Sequence, residues 1–211
     1  MGRAGRRATL ARERLFPIRR AEHLMGMPET LERWTAARVR ALPDDGQRYE
    51  VVDGALLVTP APTFDHQRAV GAIFLALSRY LEQVTVGEPM LSPADIELDP
   101  RSLVQPDVFV VPFEAGKRAR EWRDVRGLLL AVEVLSPSTA RADRTVKRQR
   151  YQRAGISEYW IVDLDARLVE RWRPSDARPD VLSERLAWQP DITRPAFELD
   201  LAAFFTGVLA P

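Results

Sequence analysis

Residues 128–135 have the sequence LLLAVEVL. All but one of its residues are apolar, which predicts a central β-strand covered on both faces. Glu133 is the exception, and a lone carboxylate in such a strand is costly to ionise. Glu133 therefore needs a cation, a hydrogen-bond network or a raised pKa.

A second acid lies in another apolar strand, predicted over 105–111 (QPDVFVV). If that strand neighbours the first, Asp107 and Glu133 converge, and a divalent metal ion between them is the simplest compensation for their charge. Two alternatives stay open. Glu133 could form a buried salt bridge with an arginine, and Asp107 could be a hydrogen-bond acceptor at the start of its strand.

A charged helix, predicted over 140–154, supplies a candidate cation. The chain has 29 arginines but two lysines, Lys117 and Lys147. Lys147 shares a helix face with Asp143 and Tyr151, because residues four apart lie on the same side of a helix. That face could turn back toward the end of the Glu133 strand. The alternative is a solvated lysine on a polar helix.

The remaining elements complete a mixed β-sheet with helices on both sides, an α/β fold. Asp53-Gly54 between two β-rich runs predicts a hairpin, and Thr63 can cap a long helix with an apolar stripe. The predicted helices cover 29–41, 64–83, 140–154 and 200–206. The other predicted strands cover 48–52, 55–59, 158–163, 167–173 and 182–188, with shorter ones near 84–87 and 94–98.

The composition limits the possible chemistry. The absence of cysteine and the presence of only two histidines exclude thiolate and multi-histidine metal sites, so carboxylates must hold any metal, which favours Mg²⁺ or Mn²⁺. No phosphate-binding loop, GxGxxG, HExxH or GxSxG motif occurs. No apolar run has the length of a membrane span, and the absence of cysteine and of a secretory signal leads us to expect a cytoplasmic protein.

The length of 211 residues suits one domain with a tail. The first twenty residues contain seven arginines and one glutamate, whereas the whole chain has a net charge of only +1. We therefore expect a basic, disordered arm over 1–25 and a folded domain over 26–211.

Five motifs in order resemble the Uma-type restriction endonuclease family of the PD-(D/E)XK nuclease superfamily. They are RYEVVDGALLVTPAPTFDHQ, QPDVFVV, VEVLSPST, the Asp143–Lys147–Tyr151 helix and AGISEYWIVD. The resemblance extends from about residue 29 to 205. It implies a restriction-endonuclease-like mixed β-sheet core flanked by helices, and a metal-dependent endonuclease that hydrolyses phosphodiester bonds in DNA.

The resemblance also implies roles for individual residues. Asp107, Glu133 and the backbone carbonyl of Val134 would hold Mg²⁺ or Mn²⁺. The superfamily lysine normally stands two residues after the acid, where this chain has Leu135, and Lys147 would take its place from the helix.

Further positions follow from the same resemblance. Glu50 matches an acid near the site, and His66 matches a family position that could be either a core residue or a site residue. Apart from the resemblance, Arg141, Arg144 and Arg148 are candidates for phosphate contacts because they lie on the same helix as Lys147, with a solvated helix face as the alternative.

Two expectations about partners and activity complete the interpretation. We expect a homodimer, with Trp160 and Trp172 lining an interface, because many nucleases that cut both strands present two sites. Leu135 keeps an alternative open, a non-catalytic DNA-binding or protein-interaction module that retains the nuclease fold.

Overall fold

A computed structural model describes residues 33–210, so the expectation for a basic arm over 1–25 lies outside the described residues. The helices are α1 (Ala36–Arg40), α2 (Phe64–Gln83), α3 (Ala140–Ala142), α4 (Arg148–Arg153) and α5 (Leu201–Leu209). A π-helical turn, Asp143–Lys147, joins α3 to α4, and a short 3₁₀ turn spans Trp122–Asp124.

The strands are β1 (Arg48–Val52), β2 (Ala55–Thr59), β3 (Gly87–Leu91), β4 (Ile96–Asp99), β5 (Ser102–Val104), β6 (Val108–Pro112), β7 (Leu130–Val134), β8 (Glu158–Asp163), β9 (Leu168–Trp172), β10 (Asp180–Leu182), β11 (Arg185–Trp188) and β12 (Phe197–Asp200).

Six of these strands form the central mixed sheet, in the order β10-β9-β8-β7-β6-β3. Only the β7–β8 pair is parallel among its pairings. A parallel pair needs a crossover connection, and the helix that includes the π-helical turn provides it. The same helix is thereby tied to the end of β7.

Two smaller sheets flank the central one. The first has the order β2-β1-β5-β4, and the second pairs β11 with β12. One face of the central sheet packs on α2, α5 and the β11–β12 pair, in a core that contains Leu77, Val132 and Trp160. The opposite face packs on α4 and on strands of the first small sheet, with Phe109 and Tyr151 buried between them. The central sheet is therefore covered on both faces, which explains why all five residues of β7 are buried.

Most of the predicted elements are confirmed. The β1–β2 hairpin turns at Asp53 and Gly54, whose φ values of 51° and 88° are those of a tight hairpin turn. Helix α2 begins at Phe64, and the Thr63 hydroxyl accepts the amide of His66 as its cap. The helix after β7 ends before Gly155, whose φ of 71° suits a glycine at a helix end.

Element boundaries account for most of the errors. Helix α1, predicted over 29–41, begins only at Ala36, capped by Thr35, and residues 29–32 of that prediction lie outside the described part of the chain. The strand expected near 84–87 begins at Gly87, where a β-carbon would lie 2.4 Å from the Val111 carbonyl oxygen, so only glycine allows β3 to approach β6 this closely. Helix α5 extends beyond the predicted 200–206.

The remaining strand errors concern short elements. Strands β5 and β12 were not predicted, because three or four residues are too few to show an alternating pattern. The predicted strand over 182–188 is in fact divided between the end of β10 and β11.

Two tryptophans expected at an interface are in the interior. Trp160 is fully buried and lies 6.2 Å from Trp188 and 6.0 Å from Phe197, measured between ring centroids. Trp172 is also buried, with the Arg148 guanidinium 4.6 Å from its ring centroid. The expectation that these rings line a dimer interface is wrong, because strand pairing turns both into the core.

Candidate active site

The two predicted acids lie at the same end of two paired strands. Glu133 is in β7, and Asp107 directly precedes β6, which pairs with β7 in antiparallel register. The residue before Asp107 is a proline, and proline has no N–H to extend the ladder. The Asp107 carboxylate binds the end of β7 as an acceptor, since its Oδ2 accepts the Val134 amide at 2.9 Å.

Asp107 is held from two further directions. Arg48, in β1, donates to Oδ1 at 3.1 Å, and the Nε2 atom of His66 lies 3.2 Å from Oδ2. Burial raises the pKa of Asp107, but His66, Arg48 and the Val134 amide outweigh burial and lower that pKa below its ordinary value. Asp107 is therefore an ionised carboxylate with a fixed orientation.

Lys147 lies among three acids. Its Nζ atom is 2.6 Å from Glu133 Oε1, 3.1 Å from Glu50 Oε2 and 3.5 Å from Asp143 Oδ1. The ammonium is buried, with 3% of the side chain exposed. Burial lowers the pKa of Lys147, but Glu133, Glu50 and Asp143 outweigh it and raise that pKa well above 10.5. Lys147 is therefore a permanent positive charge inside the protein.

The pKa of Glu133 is shifted in the opposite direction to that of Asp107. Its Oε1 accepts both the Lys147 ammonium and the Tyr151 hydroxyl, the latter at 3.0 Å. Burial is the largest influence on its pKa, and the charges of Asp107, Asp143 and Glu50 add to it, so the pKa rises well above its ordinary value despite Lys147. Among the described residues no side chain or amide bonds to Oε2, which remains available for a proton or a ligand.

Glu50 reaches the site from the other sheet. It lies on the same face of β1 as Arg48, because alternate residues of a strand face the same side. Its Oε1 accepts the amide of Gln105 at 2.7 Å, and Lys147 binds its carboxylate from the helix side. The site therefore joins both sheets and the crossover helix.

A cavity of about 200 Å³ lies above these residues. Its floor contains the charged and polar side chains of the site, and two segments, 59–63 and 136–139, form its walls. The floor residues that line it are Arg48, Glu50, His66, Asp107, Glu133 and Lys147. All five site residues predicted from the sequence, with Val134 among them, thus line one cavity.

The charge balance of the site fits a divalent cation. Within residues 33–210 no three acidic or histidine side chains already surround a metal-sized space. The buried acidic side chains of the site nevertheless outnumber the arginine and lysine side chains that lie between them. The four buried carboxylates are Glu50, Asp107, Glu133 and Asp143, against Arg48 and Lys147.

The available atoms are also suitable. Asp107 Oδ1 and Glu133 Oε2 are the least engaged oxygens of their carboxylates. The amide and carbonyl of one residue in a strand point to the same edge, so the Val134 carbonyl faces the side on which its amide meets Asp107. Oxygen ligands of this kind are those preferred by Mg²⁺ and Mn²⁺.

The predicted arginine contacts are mostly used within the protein. Arg144 pairs with Asp163 at 2.7 Å and with Glu170 at 2.6 Å. Arg148 donates to Gln152 at 2.7 Å and stacks over a tryptophan ring. Neither side chain is placed to bind a phosphate, while Arg141 is exposed.

Most of this chain matches a known protein family. Residues 29–202 match the family described as "Uma2: Putative restriction endonuclease". The chain belongs to the Uma2 family. Its structure is also similar to a crystal structure described as "a putative nuclease belonging to DUF820" from Anabaena variabilis ATCC 29413. That match has 19% sequence identity and a TM-score of 0.67, and it covers 83% of this chain and 99% of the other. No curated protein sequence matches the chain.

The Uma2 assignment confirms the family resemblance and the restriction-endonuclease-like α/β fold. It indicates a nuclease, a hydrolase that acts on nucleic acid. No helix within residues 33–210 is long and apolar enough to cross a membrane.

Three residues of the candidate site were missed or left undecided from the sequence. Arg48 was not singled out, although its two-residue spacing from Glu50 on one strand was a usable signal. His66 was more readily interpreted as a core residue, since it lies on the apolar stripe of α2. Tyr151 was placed on the correct helix face, but nothing in the sequence indicated that its hydroxyl would bond Glu133.

Proposed function

We propose that this chain is a metal-dependent endonuclease that hydrolyses phosphodiester bonds in DNA. The observation that carries the proposal is the cluster at the cavity floor, where Asp107 and Glu133 at the ends of paired strands meet Lys147 from the crossover helix. The family assignment supports a nuclease. An excess of buried carboxylates is costly unless a cation compensates their charge, which supports a metal-binding role for the cluster.

Asp107, Glu133 and the Val134 carbonyl are the groups that would hold Mg²⁺ or Mn²⁺. When bound, such an ion lowers the pKa of a coordinated water and polarises the scissile phosphate. Arg48 and His66 fix the orientation of the Asp107 carboxylate, so that it needs little rearrangement to bind an ion.

Lys147 supplies fixed positive charge where negative charge develops on the phosphate. A preorganised charge in a water-poor site contributes more than the same charge in solution. Glu50 and Asp143 also contact the ammonium and hold it in place. Glu50 is also the candidate to bind a second metal ion or a water molecule on the first.

The position of Lys147 bears on the alternative function. The 2.6 Å contact of Lys147 with Glu133 supports the catalytic proposal, because it brings an ammonium group to the acid from the helix although the superfamily position two residues after Glu133 is Leu135.

A plasmid-cleavage assay tests the proposal. We expect the purified protein to nick or linearise plasmid DNA with Mg²⁺ or Mn²⁺ and to lose this activity in EDTA. Asp107→Ala should abolish cleavage. Asp65→Ala is the matched control, because Asp65 lies on the same helix as His66 but pairs with Arg68 at the surface.

The outcomes separate the two candidate functions. Cleavage that persists in Asp107→Ala would exclude this site. DNA binding without cleavage at any metal concentration, in a protein that is folded, would favour the non-catalytic module.

A further inference from the structure

The loop that joins β6 to β7, residues 113–127, lines two adjoining cavities. The first measures about 590 Å³, within the range of about 300–1,000 Å³ that is typical of small-molecule sites. The second measures about 510 Å³. Both are lined by Val111, Ala119 and Arg120, so they form one continuous depression. No residue in the described part of the chain lines both this depression and the candidate active site.

The first cavity has an apolar lining and an aromatic wall. Its apolar residues include Met90 of β3, Val111 of β6 and Val125 of the loop. The wall is the Trp122 side chain, which is 47% exposed. Its ring centroid lies 6.1 Å from that of the buried Phe109, and a 3₁₀ turn begins at Trp122, so the sheet and the turn hold the indole in place. An indole held beside an apolar surface is suited to stack on a flat ring.

One acid lies inside the first cavity. Glu88 is on the same face of β3 as Met90, and 16% of its side chain is exposed. Arg118 lies 3.5 Å from its carboxylate. Among the described residues, no side chain or amide donates a hydrogen bond of ordinary geometry to that carboxylate. Because an ionised carboxylate only accepts hydrogen bonds, Glu88 is available to an N–H group of a ligand.

The second cavity is positively charged. Four basic and two acidic side chains line it, and the basic ones are Lys117, Arg118, Arg120 and Arg126. Arg118 pairs with Glu88, but within residues 33–210 neither Arg120 nor Arg126 forms an ion pair. Guanidinium groups bind phosphate through parallel hydrogen bonds. The uncompensated arginines of this cavity therefore favour a phosphate group.

We propose that the two cavities form a nucleotide-binding site separate from the candidate active site. The base stacks on Trp122 in the first cavity, where Glu88 accepts an N–H of its amino group, and the phosphate lies by Arg120 and Arg126 in the second. Cytosine, adenine and guanine carry such an amino group, whereas thymine does not. The ligand is a nucleoside monophosphate, either free or as one unit of a DNA strand.

The combination of groups favours a nucleotide over simpler ligands. A phosphate ion alone would leave the apolar cavity and Trp122 without a partner. An apolar ring alone would leave Arg120 and Arg126 uncompensated. A nucleotide joins a flat ring with hydrogen-bond donors to a phosphate, and these three parts match the three kinds of group that line the depression.

Titration of the protein with dCMP and dTMP in EDTA tests the proposal, by calorimetry and by tryptophan fluorescence. EDTA removes divalent ions, so the candidate active site cannot hold a phosphate through a metal. We expect dCMP to quench the fluorescence and to bind at least about 5-fold more tightly than dTMP, the lower limit for one good base contact. Deoxycytidine, which lacks the phosphate, should bind at least about 10-fold more weakly than dCMP.

Three variants assign the parts of the ligand to the parts of the site. Trp122→Leu should weaken dCMP binding by about 5- to 150-fold, the range for loss of one stacked base. Arg120→Gln should weaken dCMP binding by about 10- to 150-fold and leave deoxycytidine binding unchanged. Glu88→Gln should remove the preference for dCMP over dTMP, because an amide can donate to thymine as well as accept from cytosine.

Two controls should bind dCMP like the unaltered protein. Asp107→Ala changes the other cavity only. Arg185→Gln removes an arginine whose side chain is 71% exposed and which lines neither cavity of the proposed site. Normal dCMP binding by Asp107→Ala supports a separate site, whereas its loss would assign the nucleotide to the candidate active site and overturn the proposal.

A short oligodeoxycytidylate strand distinguishes the two sources of the ligand. Tighter binding of the strand than of dCMP, dependent on Trp122, assigns the site to DNA, and binding of dCMP without binding of the strand assigns it to a free nucleotide. The proposal is overturned if neither ligand binds at millimolar concentration, or if Trp122→Leu and Arg120→Gln both bind dCMP normally. Plasmid cleavage by a protein that fails these binding tests would leave the proposed function intact, and Trp122-dependent binding by a protein that cleaves no DNA would leave the nucleotide site intact.

Discussion

Replacing Lys147 by methionine tests the charge balance of the site most directly. Methionine has a similar unbranched shape, so the variant removes the charge and leaves most of the volume. Lys147 is buried and contacts the carboxylates of Glu133, Glu50 and Asp143. Its removal leaves three buried acids without their shared cation.

The expected loss of stability follows from that arrangement. Removing one partner of a buried ion pair typically costs about 3–5 kcal/mol. For a domain of 150–250 residues this corresponds to a fall in melting temperature of roughly 6–20 °C. Loss of a preorganised positive charge should also lower the rate of cleavage by about 10²–10³. Because Lys147→Arg introduces a planar and bulkier group, we expect it to fail in cleavage as well.

The destabilisation should depend on pH. Burial raises the pKa of Glu133 above its ordinary value of 4.5, and Lys147 opposes that rise. Without Lys147 the folded-state pKa of Glu133 rises further. A carboxyl group with a raised folded-state pKa stabilises the fold below its unfolded pKa, and that contribution is lost as the pH rises through the folded pKa. The difference in the free energy of unfolding between Lys147→Met and the unaltered protein should therefore be larger at pH 8 than at pH 5.

Thermal unfolding at both pH values measures this effect, with cleavage measured in parallel. The other lysine of the chain provides the control, because Lys117 is exposed and Lys117→Met should change stability by no more than about 0.5 kcal/mol. A Lys147→Met protein as stable as the control at pH 8 would refute the charge argument. Full cleavage by Lys147→Arg would refute the specific requirement for an ammonium.

Three further predictions concern the surroundings of the site. His66→Leu removes the contact of His66 with Asp107 and should lower kcat by about 10–100-fold in the plasmid assay. His66→Gln keeps an N–H donor and should retain most activity. Equal losses in both variants would argue against a role for the donor. Leu135→Lys in the Lys147→Met background should partly restore cleavage, because residue 135 lies on the same strand face as Glu133. A doubly substituted protein that folds but remains inactive would show that the two lysine positions are not equivalent. The homodimer stays a prediction without support from Trp160 and Trp172, and a monomer by light scattering at tens of micromolar would contradict it.

The fold was predictable from the sequence where the local signals were strong. The apolar run of β7, the Asp-Gly turn of the first hairpin and the stripe of α2 each determine an element by periodicity or turn chemistry. Short strands such as β5 and β12 form because a neighbouring strand offers a hydrogen-bonding edge, and that information is not local. The burial of Trp160 has the same origin, since it depends on β11 and β12 covering the sheet.

The sequence was sufficient to predict which residues form the site but not which residues contact one another there. Two acids in apolar strands and one lysine in an arginine-rich chain were sufficient to select the members of the cavity. The partners that lower the pKa of Asp107, His66 and Arg48, approach from α2 and β1, and Lys147 reaches Glu133 from the crossover helix. Such long-range approaches depend on how the sheets and the helix pack, which a single sequence does not specify.

The π-helical turn at Asp143–Lys147 restricts how this chain can vary in length. An α-helix turns by about 100° per residue, and a π-helical turn accommodates one extra residue within an α-helix. Deleting a single residue from the turn would swing the residues after the deletion around the helix, and Lys147 and Tyr151 would not both remain over Glu133. Among related sequences, gaps and insertions should therefore be rare across this turn and more frequent in the exposed loop after β9, where no site residue depends on the register.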